Sequence, residues 1–320
     1  MLLAILSKLA DGKFHSGEQL AQELNVSRAR IWQAMGDLRI LGLEIAAVTG
    51  RGYKIFEKLE LLDLNRIMAA LPESIQVKLP TPLIYLETTS TNSVLLEGLR
   101  KREVKSGTVC LAEFQSQGRG RLGRQWASPL GNIYCSMAWQ FQHSAAGLMG
   151  LSLVMGLAVV AALKKSGARD MGLKWPNDIY HHGKKLGGIL VEIAGDALGP
   201  CDVVIGVGIN VLLPRNVIID QAYTDLSQVL PQKISRNLLL SNLIASLYEY
   251  LTLFNQKGLS YFLPQWDEYD ILHHQAVHII EEHRTLSGVV VGVDAQGQLR
   301  VNVAGVEHVL TSARASVRLV

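Results

Sequence analysis

The chain has 320 residues, 48% of them hydrophobic and 18% charged, with a net charge of +3. That length exceeds one ordinary core and predicts two or three domains, and the apolar content excludes a disordered chain. The charge is too mild to signal a nucleic-acid partner by itself, and three scattered cysteines (Cys110, Cys135, Cys201) exclude a disulfide frame or zinc site and predict a reducing, cytoplasmic setting.

In chain order, Leu2, Leu3, Ile5, Leu6 and Leu9 recur at helical spacing, and residues 1–20 carry neither a basic start nor a small-residue cleavage site, so no secretory leader is expected. Ser16 with Gln19 reads as a capping box opening a second helix, whose inner face is Leu20 and Leu24. Asn25 and Val26 make a turn, and Ser27 caps a third helix with Ile31, Met35 and Leu38 on its apolar face. Arg28 and Arg30 in its first turn, with Gln33 following, complete a helix-turn-helix pattern. Residues 45–48 and 53–56 are β-prone and flank Thr49-Gly50-Arg51-Gly52, a hairpin placing Arg51 at a wing tip, within reach of a phosphate. Basic and acidic residues nearly balance over residues 1–60, so only placement favours DNA through Ser27, Arg28, Arg30, Gln33 and Arg51; the alternative is a packing module with solvated arginines.

Residues 57–65 form a charged connector. Beyond them, strands are predicted at 83–86, 108–113, 132–139, 188–193 and 203–209, with helices at 92–102, 145–165 and 236–257. This is a mixed α+β sheet with helices packed on one face. From residue 145 to 163 only Ser152 is polar, approaching the length of a membrane span, but Gly147, Gly150 and Gly156 favour a buried core helix and no membrane partner. After Trp266, short strands at 277–280, 288–293, 299–303, 307–310 and 315–319 predict a small β-barrel. The expected units are 1–58, 66–265 and 270–320.

Four stretches carry chemistry. Gly118-Arg119-Gly120-Arg121-Leu122-Gly123-Arg124, preceded by Gln115, could wrap backbone N–H groups and guanidinium forks around phosphate or carboxylate; it could equally be a nucleic-acid patch or a solvated turn. Lys174-Trp175-Pro176-Asn177-Asp178 and Lys185 to Glu192 flank a hairpin with His181 and His182 solvated near its tip. The hairpin can bring Asp178, suited to Mg²⁺, beside Lys185, suited to an anionic oxygen, or simply hold an ordinary salt bridge. Thr88-Thr89-Ser90-Thr91-Asn92 either caps a helix or faces a small polar ligand. Gly206-Val207-Gly208-Ile209-Asn210 is a strand glycine pair that admits close approach.

Taken together, S-T-N at 90–92, E-x-Q-x-x-G-R-G-R-x-G-R-x-W at 113–126, K-W-P-N-D at 174–178, K-L-x-G-I-L-V-E at 185–192 and G-x-G-I-N at 206–210 resemble biotin–protein ligases. With the winged helix in front, the chain is similar to the bifunctional type, both ligase and biotin operon repressor. The resemblance implies a central domain like that of class II synthetases and a C-terminal SH3-like barrel. It implies ATP and Mg²⁺ as cofactors, biotin as substrate, and a biotin carboxyl carrier protein, operator DNA and a second copy of the chain as partners. Biotin would be held by Ser90, Thr91, Asn92, Gln115, Arg119, Gly120, Arg121 and Lys185. ATP or the adenylate would meet Arg121, Trp126, Asn177, Asp178, Lys185 and Asn210, with Mg²⁺ at Asp178. Lys185 and Arg121 would be catalytic, stabilising the charge that gathers as the carboxylate attacks the α-phosphate. Leu122, where bifunctional members carry another arginine, makes the loop less basic and predicts looser adenylate retention; Gly187 and Gln265 replace the expected alanine and arginine. The alternatives are a lipoate–protein ligase and a ligand-sensing repressor without ligase activity.

Overall fold

The computed structural model describes residues 1–56, 58–142, 144–194, 199–214, 217–280, 285–311 and 316–320. Three helices open the chain: α1 (Leu2–Leu9), α2 (Gly17–Glu23) and α3 (Arg28–Ile40). Ser16 caps α2 by accepting from Glu18 N–H; Gln19 is exposed, and among the described residues it returns no bond, so the expected capping box is a single cap. Ser27 caps α3 through Arg30 N–H as expected. Strands β1 (Ile45–Val48) and β2 (Gly52–Ile55) pair antiparallel as the wing. Ile5, Leu6, Leu9, Leu20, Ile31, Met35, Leu38 and Ile55 close a small core that also takes in Leu59 and Leu130, so this unit packs against the body that follows.

The connector, of which residue 57 lies outside the described residues, is fastened by a buried polar network. Glu113 accepts from Leu62 N–H at 2.6 Å and pairs with the Arg236 guanidinium at 2.9 Å. Arg236, only 4% exposed, also donates to the backbone oxygens of Glu60 and Asn132, both at 2.6 Å. The Glu60 carboxylate in turn accepts from Ser235 Oγ at 2.8 Å and Asn237 Nδ2 at 3.0 Å.

The central sheet has seven strands: β3 (Leu83–Thr88), β4 (Val109–Gln115), β5 (Ile133–Phe141), β6 (Met171–Lys174), β7 (Asp178–His181), β8 (Lys184–Ala194) and β9 (Cys201–Ile209). Their order is β3-β4-β5-β9-β8-β7-β6, with β3 and β4 parallel and every other pair antiparallel. The β7–β8 hairpin turns on His182 (φ 44°) and Gly183 (φ 76°), the two left-handed positions such a tight turn requires.

Helices Leu151–Lys165 and Arg236–Lys257 share one core with Val109, Leu111, Met137, Val203 and Ile205. The helix Thr91–Arg100 instead places Leu95 and Leu96 against Cys110, Ala138 and Val204, residues that alternate with the first set and point the other way. The sheet is therefore covered on both faces, correcting the one-faced arrangement expected from the sequence. The helix expected over 145–165 is also divided, into a 3-10 turn at Ala145–Leu148 and the helix Leu151–Lys165, with Gly150 left-handed between them (φ 77°). By length and composition that apolar segment could cross a membrane, but most of it is buried inside the protein.

Five C-terminal strands follow: β10 (Ala276–Ile280), β11 (Thr285–Val293), β12 (Leu299–Val303), β13 (Val306–Leu310) and β14 (Ser316–Leu319). They form an antiparallel sheet in the order β13-β12-β11-β10-β14. Among the described residues β13 and β14 do not pair with each other; Ala315 of the expected last strand lies outside those residues. Val277, Ile279, Val290, Leu299 and Val301 join the core of the central sheet, and Trp175 Nε1 donates to Gly297 O at 3.0 Å.

Removing one member of a buried ion pair strands the other, at a cost of about 3–5 kcal/mol. Arg236→Met is expected to lower the unfolding free energy by about that amount in a urea titration; a loss under about 1 kcal/mol would show that the network does not secure the connector.

Candidate active site

The polar end of the site is built where β3 turns into the helix Thr91–Arg100. Ser90, Thr91 and Asn92 are buried (3%, 4% and 3% exposed), an unusual depth for three consecutive polar side chains. Ser90 stands at the N-cap position, yet its side chain makes no capping bond, which corrects the default capping reading. Thr91 donates through N–H and Oγ1 to Gln115 Oε1 at 2.8 and 3.2 Å, and Gln115 Nε2 donates to Ser128 Oγ at 2.9 Å. Ser136 Oγ lies 2.6 Å from Thr91 Oγ1 and donates to Asn92 Oδ1 at 2.5 Å. Asn92 Nδ2 donates to Glu192 Oε2 at 2.8 Å, and Arg119 Nη2 donates to the same oxygen, also at 2.8 Å. The close approach of Asn92 to the sheet requires Gly206, where a Cβ would collide with the Asn92 amide.

The cationic end is the arginine loop and the β7–β8 hairpin. Gly120 N–H bonds Arg124 O at 2.7 Å, and Trp126 N–H bonds Gly118 O at 2.9 Å, folding residues 118–126 back on themselves. Arg119, Gly120, Arg121, Leu122, Gly123 and Arg124, with Leu190 and Glu192, line a cleft of about 380 Å³. Arg121 Nη1 donates to Asn177 Oδ1 at 3.3 Å, and Asn177 Nδ2 to Ile189 O at 2.6 Å. Burial pulls the Arg121 guanidinium below its ordinary pKa, while Asp178 opposes the shift. Lys185 Nζ meets Asp178 Oδ1 at 2.8 Å, as the hairpin spacing predicted, and also lies 5.4 Å from the centre of the Trp126 ring. Trp126 rests on Gly208, where a Cβ would come within 2.6 Å of its Cε2. Arg124 Nη2 reaches across to Ser316 Oγ of β14 at 3.1 Å.

Asn210 is not brought into the cleft. It is buried, with Nδ2 bonded to Thr224 O at 3.0 Å, and it holds the segment that pairs with Lys185. Glu192, Ser136, Ser128 and Lys174 had no assigned role in the sequence. Glu192 was visible as the last letter of its motif, but Ser136 and Ser128 meet the site only through folding. The Lys174 ammonium lies 3.4 Å from the Tyr180 hydroxyl; burial pushes its pKa below the usual lysine value, with Asp178 opposing.

On the N-terminal unit, Ser27, Arg28, Arg30 and Gln33 are all exposed along α3, and Arg30 Nη1 donates to Gln33 Oε1 at 2.7 Å. Trp32 beside them is 71% exposed. Arg51 is exposed at the wing tip, and its guanidinium stacks 4.1 Å above the Phe14 ring instead of standing alone.

Residues 84–210 match the Biotin/lipoate A/B protein ligase family, and residues 2–54 match an HTH domain family. The chain is 40% identical over 307 residues to the bifunctional ligase/repressor BirA of Salmonella typhimurium, covering 95% of this chain and 93% of that protein. It is 38% identical to the bifunctional ligase/repressor BirA of Escherichia coli with the same coverage. Among solved structures, the biotin protein ligase from Aquifex aeolicus in complex with biotin and ATP is similar with a TM-score of 0.65 at 29% identity, covering 75% of this chain and 99% of that one. The chain belongs to the bifunctional ligase/repressor family, in which a biotin/lipoate-type ligase domain follows an N-terminal helix-turn-helix.

Proposed function

We propose that the chain is an ATP-dependent ligase that forms biotinyl-5'-adenylate and transfers biotin to a lysine of a biotin carboxyl carrier protein, and that it also represses the biotin operon in response to biotin. The observation that carries this reading is the meeting of two unlike ends in one site: the buried Thr91–Gln115–Asn92 network and, beside it, the arginine loop with the Lys185–Asp178 pair.

The first end suits a cyclic urea, which offers one carbonyl acceptor and two N–H donors to the amides and hydroxyls of Ser90, Thr91, Asn92 and Gln115. The second end suits a carboxylate meeting a phosphate. The biotin carboxylate oxygen bonds to the α-phosphorus while the bond to the β-phosphate oxygen breaks and pyrophosphate leaves. Lys185 and Arg121 stabilise the charge gathered in that transition state and hold the reactants in line. Arg119 and Gly120 belong to the loop that covers the product and keeps water from it. The carrier lysine then attacks the acyl carbon and AMP departs, with no covalent enzyme intermediate.

Trp126, Asn177 and Asp178 face the nucleotide side, while Asn210 acts through the segment it anchors. Among the described residues no three His, Cys, Asp or Glu side chains cluster as a metal cage. The Asp178 carboxylate, beside Lys185, would hold Mg²⁺ together with substrate phosphates, the manner Mg²⁺ favours. When bound, the ion would neutralise phosphate charge. Residues 1–58, 66–265 and 270–320 serve as the DNA-binding, catalytic and C-terminal units of a cytoplasmic protein. Repression follows if adenylate orders the loop and favours a homodimer, which sets two winged helices on a two-fold operator.

Purified protein with MgATP, an apo carrier domain and either biotin or lipoate is expected to add the mass of biotin alone, by intact mass of the carrier. Lys185→Ala should slow that gain by about 100- to 1,000-fold; a gain with lipoate and none with biotin would move the chain to the sister activity. Gly206→Ala should displace Asn92 and weaken biotin binding about tenfold by calorimetry, with the circular dichroism spectrum retained; unchanged affinity would remove Asn92 from the biotin contacts. In an operator shift assay, biotin plus ATP should tighten binding, and Arg28→Ala should weaken it and lower the salt slope by about one. Operator affinity indifferent to biotin plus ATP would refute the repressor link.

A further inference from the structure

We propose that Ser136 is a specificity-determining positioning residue: acting through Thr91, it sets the site to accept a ligand N–H and to reject a ring oxygen in the same place. This rests on the ligase reading above and deepens it, because it names the side chain that tells a urea from a carbamate.

Ser136 lies fully buried on β5, against the two side chains that open the helix Thr91–Arg100. Its hydroxyl carries one proton and has two oxygens within reach, Asn92 Oδ1 at 2.5 Å and Thr91 Oγ1 at 2.6 Å. The Asn92 amide decides between them. Its Nδ2 hydrogens go to Glu192 Oε2 at 2.8 Å and to Leu190 O at 3.4 Å. Turning the amide over would set Oδ1 against the Glu192 carboxylate, which is paired with Arg119, so Oδ1 stays toward Ser136. An amide oxygen has no proton to give, and the Ser136 proton goes to it.

Thr91 Oγ1 is then 2.6 Å from an oxygen whose proton is spent. Two oxygens so close need a hydrogen between them, and Thr91 must supply it. Its other acceptor, Gln115 Oε1, lies farther off at 3.2 Å and keeps the Thr91 N–H at 2.8 Å when the hydroxyl turns away. The hydrogen bonds thus run one way, from Thr91 to Ser136 to Asn92 to Glu192, each polarising the next and ending on a carboxylate. Thr91 Oγ1 keeps its lone pairs and has no proton left for a ligand. A urea N–H placed there finds an acceptor. A ring oxygen placed there leaves two acceptors face to face. Without Ser136 the Thr91 hydroxyl is free to turn and serves donor and acceptor alike.

The test uses the full chain and measures, by calorimetry, the binding of biotin and of the two cyclic carbamates in which one or the other ureido N–H is replaced by oxygen. Wild type is expected to prefer biotin over one of the carbamates by about 100-fold or more. In Ser136→Ala that preference should fall to about tenfold or less, with the circular dichroism spectrum retained. Ser136→Cys, whose thiol is a weak donor, should fall between. In a Thr91→Val background, Ser136→Ala should leave the preference unchanged, because Ser136 acts through that hydroxyl. A wild-type preference in Ser136→Ala, with all three ligands weakened equally, would reduce Ser136 to a packing role and overturn the inference while the ligase reading stands. A wild type that binds biotin and both carbamates alike would do the same. A wild type that does not bind biotin would overturn both.

Discussion

One guanidinium holds the two halves of this protein in register. Arg236 opens the 22-residue helix Arg236–Lys257 and is buried between the connector and the central sheet, bonding Glu113, Glu60 and Asn132. Two of its guanidinium nitrogens donate to backbone oxygens, which offsets part of the cost of burying the pair. Glu113 lies on β4 two residues before Gln115, so the strand that bears the connector also presents the polar end of the site. A winged helix joined by a loose tether would report nothing about the site. Here the connector backbone is bonded to the strand that carries Gln115.

The site itself is a flat sheet surface made accessible by missing side chains. Gly206 and Gly208, two residues apart on β9, face the same side of the sheet and let Asn92 and Trp126 lie directly on the strand. From there the polar network extends toward the helix Thr91–Arg100, and the cationic group extends toward the hairpin tip. The alternating, two-faced burial of β4, β5 and β9 makes the platform rigid, since each strand is packed from above and below.

Much of this was legible in the sequence because the decisive residues sit in short motifs whose partners are near in the chain. The Asp178–Lys185 pairing follows from a tight turn at His182-Gly183, and the Ser27 cap and the bounds of the helix 236–257 follow from local pattern. What escaped depends on distance or on two-faced burial. Apolar runs at 109–115 and 201–209 do not reveal which alternate side chains face which layer, so the helix Thr91–Arg100 was assigned to the wrong side. The break at Gly150 was hidden because an apolar stretch remains apolar across a kink. The strand Met171–Lys174 was too short to stand out. Ser136 and Ser128 carry no local signature at all, and their places are set by Thr91 and Gln115, 45 and 13 residues away.

A single oxygen of Glu192 receives both Asn92 Nδ2 and Arg119 Nη2. The buried polar network and the arginine loop therefore share one acceptor. Any guest that draws the Asn92 amide toward itself leaves that oxygen to the arginine alone, and any outward swing of the loop leaves it to the asparagine. On the proposed ligase reading, ligand uptake at Asn92 and the position of the arginine loop are thus coupled at one atom.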